Sequence, residues 1–414
     1  MTTGPDRGRS QAMGREPKVP APFAFLWAAQ FLSQFGDSIF QIAFVWLILD
    51  MTGSKATTGL AATVSYLPAL LFGLAAGLLV DRWNRRLVMA GADAGRALLL
   101  ALAGILLWRG ALTPAILTAI AFGMATSAVL FNPARDSLLP EIVPAAGLTK
   151  ANAWVQSSQQ AAFLFGPLAA GVLIQRAGVR STFPAGMLLF AGSLLLLLAI
   201  KRVGRAHRVG RESLAIAEDF RRGLKAIASD GTLVLLLALT ALDNMFIMGP
   251  AILGNVVIVR ETLRGTASDY ALVEAIYGVG MITGSILVAK VGSRFPSGWL
   301  VLIGVTLDGI TYVPLLWCRT MPFLLIVSFF HSIVIPIITV PRATILQRIV
   351  PSSLVGRVFA LQNVVVVGVT ALSCGVAGLL LETLSAPALF AVGGGLGAAT
   401  GLLGALSPRL RRLP

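Results

Sequence analysis

An all-α membrane protein of twelve transmembrane helices, two six-helix bundles related by a pseudo-two-fold axis along the membrane normal, is the fold this sequence predicts. Three observations predict it. The chain of 414 residues is 56% hydrophobic and only 12% charged, with a mean hydropathy of +0.84, whereas ordinary soluble domains carry about 25% charged residues. Its apolar residues gather into twelve runs, at 23–49, 57–80, 87–108, 113–133, 151–175, 182–200, 232–259, 270–290, 298–318, 321–340, 358–381 and 386–407, close to the about 20 residues that carry a helix across a bilayer. Sliding the chain by 207 residues also lays one half on the other.

Residues 1–22 are polar and lack the apolar core and small-residue cleavage site of a secretory signal. They read as an N-terminal tail ahead of a first bundle at 23–200. Span one contains AQFLSQFGDSIFQ at 29–41. At about 100° per residue, Gln30, Gln34, Asp37 and Gln41 fall within about 60° of one another, flanked by Ser33 and Ser38. Such a polar stripe must face water, a ligand or other polar groups. Span two ends in GLLVDRWNRR at 77–86. There Gly77 permits close helix contact, Asp81 offers an acceptor, and Arg82, Arg85 and Arg86 hold the turn at the positive face of the membrane. Span three carries Asp93 and Arg96 at i, i+3, a spacing that pairs them. A satisfied pair is a poor proton carrier, so both read as structural. Span five adds Gln156, Gln159 and Gln160.

Residues 201–231 are too charged to span. Leu214, Ala217, Phe220, Leu224 and Ile227 recur there at helical spacing, giving an amphipathic helix that reads as a solvated tether between the bundles. The second bundle follows at 232–407, then a tail at 408–414. Span seven holds Asp243 and Asn244, and span eight places Tyr270, Glu274, Tyr277 and Met281 on one face. Asp308 in span nine is an isolated carboxylate, and His331 in span ten reads as a hydrogen-bonded interior histidine able to serve as a proton site.

The 207-residue shift aligns Gly73 and Gly77 with Gly280 and Gly284, Arg135 with Arg342, Ile142-Val143-Pro144 with Ile349-Val350-Pro351, Lys150 with Arg357, and Gly171 with Gly378. Small residues recur by chance in apolar helices, but an arginine, an apolar-apolar-Pro turn and a basic residue at one lag indicate duplication of six helices. With an even number of spans between them, the copies share one orientation, which suits one half rocking against the other about a midplane site. If both termini are cytoplasmic, 25 of the 33 Lys and Arg lie on the inner side, seven lie in outer loops, and Arg96 lies within a span. The net charge of +15 then reflects the positive-inside rule rather than nucleic-acid binding. Cys318 and Cys374 lie in spans without CxxC spacing, so no disulfide framework, metal site or cofactor is expected.

The turn at 77–86 resembles the signature of the major facilitator superfamily, with Asn84 where that family usually has glycine. Asn tolerates a positive φ, so the turn stays feasible. The stretches NPARDSLLPEIVPAAGLTKANAW at 132–154, GPLAAG at 166–171, EDFRRGLKAI at 218–227 and IVPSSLVGRVFALQN at 349–363 are similar to the branch that contains the enterobactin exporter and macrolide efflux proteins. The second copy of the turn, GSILVAKVGSRF at 284–295, has lost its Asp. The resemblance implies that Asp81 is a gating residue of a latch between the halves. It also implies that spans one, four, seven and ten line a central cavity, which places the Asp37 stripe opposite Asn244 in a hydrated chamber, and that span nine, with Asp308, is peripheral.

The expected function is therefore proton-coupled export of an amphiphilic small molecule, drug or macrolide-like, by alternating access at the cell membrane. No GxxxxGK[ST] loop for ATP is present. Asp37 is the first candidate to carry the proton, with Asp243 and Glu274 next. The substrate would meet Gln30, Gln34, Gln41, Gln156, Gln160, Asn244, Tyr277 and His331. With Arg96 as the only Arg or Lys expected inside the membrane, neutral or cationic amphiphiles are favoured over anionic siderophores. Siderophore export, lysophospholipid translocation, and a receptor or structural subunit are the alternatives. An enzyme is disfavoured, because the chain has two histidines and no HExxH or GxSxG. Protons and membrane lipid are the other expected partners, and the chain is expected to act as a monomer.

Overall fold

The computed structural model describes residues 20–200 and 215–413. The N-terminal tail up to residue 19 and linker residues 201–214, Leu214 included, lie outside them. Twelve helices among the described residues are long and apolar enough to cross a membrane. They are α1 (Ala21–Thr52), α2 (Lys55–Arg82), α3 (Arg85–Trp108), α4 (Pro114–Ile142), α5 (Leu148–Ala177), α6 (Thr182–Ala199), α7 (Gly231–Thr262), α8 (Ala267–Val291), α9 (Ser297–Tyr312), α10 (Met321–Ile349), α11 (Ser352–Leu380) and α12 (Ala386–Ala405). Their boundaries follow from local chemistry. Gly53 closes α1 in the left-handed region at φ 62°, and the Ser54 hydroxyl caps α2 by accepting the Thr57 N–H. Thr266 and Asp269 form a reciprocal capping box at the start of α8.

The duplication is visible in the packing. In the first half α1 packs on α5 and α6, α2 on α4, and α3 on α4 and α6. The second half repeats this set six helices later: α7 on α11 and α12, α8 on α10, and α9 on α10 and α12. The halves meet along α2 with α11 and along α5 with α8, contacts that a two-fold rotation exchanges. Gly171 and Gly378, one of the glycine pairs matched by the 207-residue shift, sit at these two seams. A Cβ on Gly378 would lie 2.7 Å from the Lys55 carbonyl and 2.9 Å from the Gly59 Cα, and one on Gly171 would lie 3.2 Å from the Ala271 Cβ. Backbones approach this closely only where side chains are absent, the usual way helices associate in lipid.

One end of the molecule carries the linker helix (Ala215–Ser229) and residues 408–413, and the other carries the turn at Gly53–Ser54. Here they are the linker end and the far end. The apolar core is divided accordingly. A single cluster joins both halves toward the far end, whereas at the linker end each half has its own: Met89, Phe131 and Leu138 in the first, Leu236, Val301 and Leu346 in the second.

The linker helix, expected as a solvated tether, is docked instead, and the C-terminal segment is docked as well. The linker helix (Ala215–Ser229) packs on α11 and α7, with Gly223 leaving room for Leu361 and Arg357, and Ile227 buried. The C-terminal segment folds under α9, where the Gly298 N–H donates to the Leu413 carbonyl and Leu410 is buried.

Candidate functional site

Between the halves lies a cavity of about 440 Å³. The second half supplies most of its wall, and the first half contributes Gln41 from α1, Tyr66 from α2 and Phe163 from α5. Pro250 explains the shape of α7 here. It has no N–H, and the helix widens into π turns at Pro250–Gly254 and Ile258–Thr262, on either side of Asn255. Just before the proline, Ser373 of α11 enters the ladder of α7. Its hydroxyl donates to the Met245 carbonyl at 2.6 Å and accepts the Gly249 N–H at 2.7 Å. Asn255, held between the widened turns, donates to Glu274 Oε1 of α8 at 3.4 Å.

Deeper in the wall, α9 and α10 build an aromatic and ionisable cluster. The Tyr312 ring stacks on His331 with centroids 3.8 Å apart, and the Tyr312 and Tyr277 hydroxyls are 2.7 Å apart. His331 Nδ1 lies 3.0 Å from Thr311 Oγ1 and 3.6 Å from Asp308 Oδ1. Asp308 is 3% exposed and His331 1%. Among the described residues, Asp243 Oδ1, Asp308 Oδ1 and Asn255 Oδ1 are buried without a hydrogen-bond partner. Buried polar atoms are nearly always partnered, so three orphan acceptors on one cavity wall are what a donor-bearing ligand, a proton or water would complete.

The polar stripe of α1 does not face one chamber. Gln30 is fully buried and donates to Ser158 Oγ at 2.8 Å and the Val155 carbonyl at 3.1 Å, tying α1 to α5. Asp37 lies 3.3 Å from the Arg96 guanidinium. Gln34 is part-buried, whereas Gln41 is exposed and reaches the cavity. The stripe covers about three helical turns, and each turn meets a different neighbour. Arg96 also pairs with Asp93 at 3.3 Å, as the spacing suggested, and donates to Ser33 Oγ at 2.8 Å. Asp93 accepts further from Ser33 and from Ser193, and the guanidinium lies 5.3 Å from the ring centroids of both Phe131 and Phe190.

Other candidates are placed as follows. Asp243, Asn244, Glu274, Tyr277 and His331 line the cavity, although the Asn244 amide turns back to the Thr240 carbonyl at 2.8 Å. Gln156 and Gln160 are exposed on α5. In the turn, Arg85 pairs with Glu141 and Arg86 donates to the Ile200 carbonyl, while Arg82 is exposed at the end of α2. Gly77 and Asp81 lie in α2, but their side chains are outside the described residues. Asn84 has φ −66°, so it needs no left-handed backbone. It serves instead as the N-cap of α3, its side chain accepting the Leu87 N–H.

The far end is tied across the halves. Arg260 meets Asp50 at 3.0 Å and Lys55 meets Glu261 at 2.8 Å. Glu382 accepts the Ala56 N–H at 2.8 Å and the Ser54 hydroxyl at 3.0 Å. The Ser268 hydroxyl donates to the Gly171 carbonyl at 2.7 Å. With separate cores at the linker end, the cavity is sealed from the far side.

A family model described as a transmembrane secretion effector matches residues 16–413. The chain belongs to that family, an efflux branch of the major facilitator superfamily. Macrolide efflux protein A of Streptococcus pyogenes is 25% identical over 357 residues, covering 82% of this chain and 84% of that one. Multidrug efflux pump Tap of Mycobacterium tuberculosis is 32% identical over 218 residues, 50% of this chain and 51% of its own. The major facilitator fold is shared with solved transporters at low identity. A bacterial homolog of the human lysosomal transporter Spinster, inward-facing and unoccupied, superposes with a TM-score of 0.73 at 15% identity, covering 95% of this chain and 96% of that one. The nucleoside transporter NupG gives 0.78 at 11% identity, covering 93% and 98%. This member of the superfamily is thus a multi-pass membrane protein of a transporter family.

Sequence reading missed several residues of this facilitator's cavity. Arg342 lies just past the apolar run, which stops at 340, but α10 continues to Ile349 and the Arg342 guanidinium donates to Thr240 Oγ1 at 3.3 Å from within the cavity wall. Asp308 is on that wall and not at the periphery. Its signal was depth, since Asp308 and His331 lie about midway along consecutive antiparallel spans. Tyr66 and Asn255 carried no sequence signal beyond being polar in apolar runs.

Proposed function

We propose that the protein exports an amphiphilic small molecule of drug or macrolide type by alternating access, driven by a proton gradient. The observation that carries this reading is the cavity between the halves, closed at the far end and walled by unpartnered carboxylate oxygens among Tyr, Phe and Met side chains. Polar groups set in aromatic and thioether surfaces suit an amphiphilic organic ligand. The efflux proteins among the relatives support a drug or macrolide as cargo. With both termini in the cytoplasm, as the basic residues favour, the far end is extracellular and this conformation loads from inside.

In this scheme Asp243 and Glu274 face the cargo, and Asp37 is the counter-charge of Arg96 rather than the group that meets the substrate. Substrate and proton disfavour each other's occupancy, which yields antiport. The chain works as a monomer in the cell membrane. A siderophore is the second reading, favoured by Arg342, which gives the cavity a cation that an anionic cargo could use. Purified protein in liposomes with an imposed pH gradient, assayed with erythromycin and with a ferric-free catecholate siderophore, decides between them. Failure to move either solute would remove the exporter reading.

A further inference from the structure

We propose that Asp308 and His331 together form the site that binds and releases the coupling proton, a proposal that rests on the exporter reading above. The two side chains are 3.6 Å apart, almost fully buried, and on the cavity wall. That distance is too long for a good hydrogen bond, and Asp308 Oδ1 has no other partner among the described residues. A buried carboxylate left this way favours states in which the pair carries no net charge. One added proton achieves this, as a carboxyl beside a neutral imidazole or as a carboxylate beside an imidazolium. Release returns the pair to a net charge of −1, and the only bond formed or broken is that one O–H or N–H.

The surrounding groups fit the role. Thr311 on the same helix touches His331 Nδ1, and Tyr312 stacks on the ring. From α8 come Tyr277, bonded to the Tyr312 hydroxyl, and Glu274 on the same cavity wall. Asp243 of α7 and Arg342 of α10 share that wall, as does Tyr66 of α2. From α12, Phe390 packs edge-on against Tyr312, and that helix has no ionisable residue.

The cluster also reaches the seal. Tyr277 precedes Gly278, where a Cβ would fall 2.9 Å from the Leu164 Cα of α5. Movement of the Tyr277–Tyr312 pair on protonation therefore acts on one of the two seams that hold the halves together. Asp37 has no such link, because its charge is answered by Arg96.

Two measurements test this, one of them independent of any substrate. In the pH-difference infrared spectrum of the purified protein, the band of the group that takes the proton, a carboxyl C=O or an imidazolium ring mode, is expected in wild type, lost in Asp308→Asn and shifted in Asp308→Glu. In proteoliposomes, erythromycin transport driven by a pH gradient should fall by about tenfold or more in Asp308→Asn, and by more than erythromycin counterflow, which needs no net proton movement. Asp308→Glu should recover part of the driven transport. A band unchanged in both variants overturns the assignment, as does gradient-driven transport in Asp308→Asn within about twofold of wild type. If Asp308→Asn does not fold, an unshifted band in Asp308→Glu overturns it alone. If wild type moves no erythromycin in either mode, the exporter reading fails and the infrared result still judges the proton site.

Discussion

Each half of this transporter buries charge in its membrane interior, and the two do so in opposite ways. In the first half Arg96 is 1% exposed, sandwiched between Phe131 and Phe190 and bonded to Asp93, Ser33 and Asp37. In the second, Asp243, Asp308 and Asn255 keep orphan acceptors against a cavity. The duplication supplied one scaffold, and the helix pairings are still the same. The difference teaches that intramembrane charge marks function only where it is left incomplete. A completed network costs too much to rearrange in each transport cycle, whereas an incomplete one can exchange a proton or a ligand donor with little repacking.

The largest expected effect separates these two kinds of charge. Arg96→Met leaves Asp93 buried beside two hydroxyls with no cation, and breaking a buried pair in this way costs about 3–5 kcal/mol. Folded yield and the melting midpoint in detergent should collapse. Arg342→Met, on the cavity, should leave the midpoint nearly unchanged while altering erythromycin transport. Equal destabilisation by both would erase the distinction.

Next in size is the loss of activity without loss of fold. Glu274→Gln and Asp243→Asn are each expected to lower gradient-driven macrolide efflux by about tenfold, equivalent to about 1.4 kcal/mol. The melting midpoint should hold or rise, because neutralising an under-partnered buried carboxylate removes a desolvation cost. A fall in midpoint with full activity retained would assign these groups to structure.

How far the sequence reached follows the same division. Twelve runs, the 207-residue shift and the Asp93–Arg96 pair were legible, since hydropathy, sequence lag and i, i+3 spacing are local or one-dimensional quantities. The fate of the α1 stripe was not. A helical wheel gives the angle of Gln30 and Asp37 but not which neighbour occupies that angle at each depth, and Gln30 meets α5 where Asp37 meets α3. Arg342 was hidden because hydropathy places a helix end where apolar residues stop, not where the backbone hydrogen bonds do. Ser373 was hidden for another reason: an isolated serine in an apolar run gives no sign that it will replace a ladder bond in a different helix.

That serine gives a prediction of comparable size, read in stability rather than in transport. Ser373→Ala removes the hydroxyl that partners both the Gly249 N–H and the Met245 carbonyl, at a cost of about 1–3 kcal/mol for buried groups left unmade. If α7 instead closes its own ladder there, the midpoint will not move. Amide hydrogen exchange at Gly249 then distinguishes repair from indifference, since a repaired bond stays protected.

The smallest effect concerns the far-end seal. Glu382 lies beyond the end of α11, and the Ala56 N–H and Ser54 hydroxyl hold its carboxyl below the usual carboxylate range. Because the value is depressed when the seal is closed, the contribution to closure is full above the ordinary carboxylate pKa of about 4.3. It is lost as pH falls through the lower, closed-state value. Spin labels placed across the far end, one on each half, should therefore report a constant distance near neutral pH and a growing open population only in strongly acidic solution. Glu382→Gln should abolish that acid dependence while leaving the neutral distance close to wild type, since exposed contacts of this kind contribute little. An acid transition that survives the substitution would shift the pH response of the seal from Glu382 to the Asp50–Arg260 and Lys55–Glu261 pairs, which close the same gap.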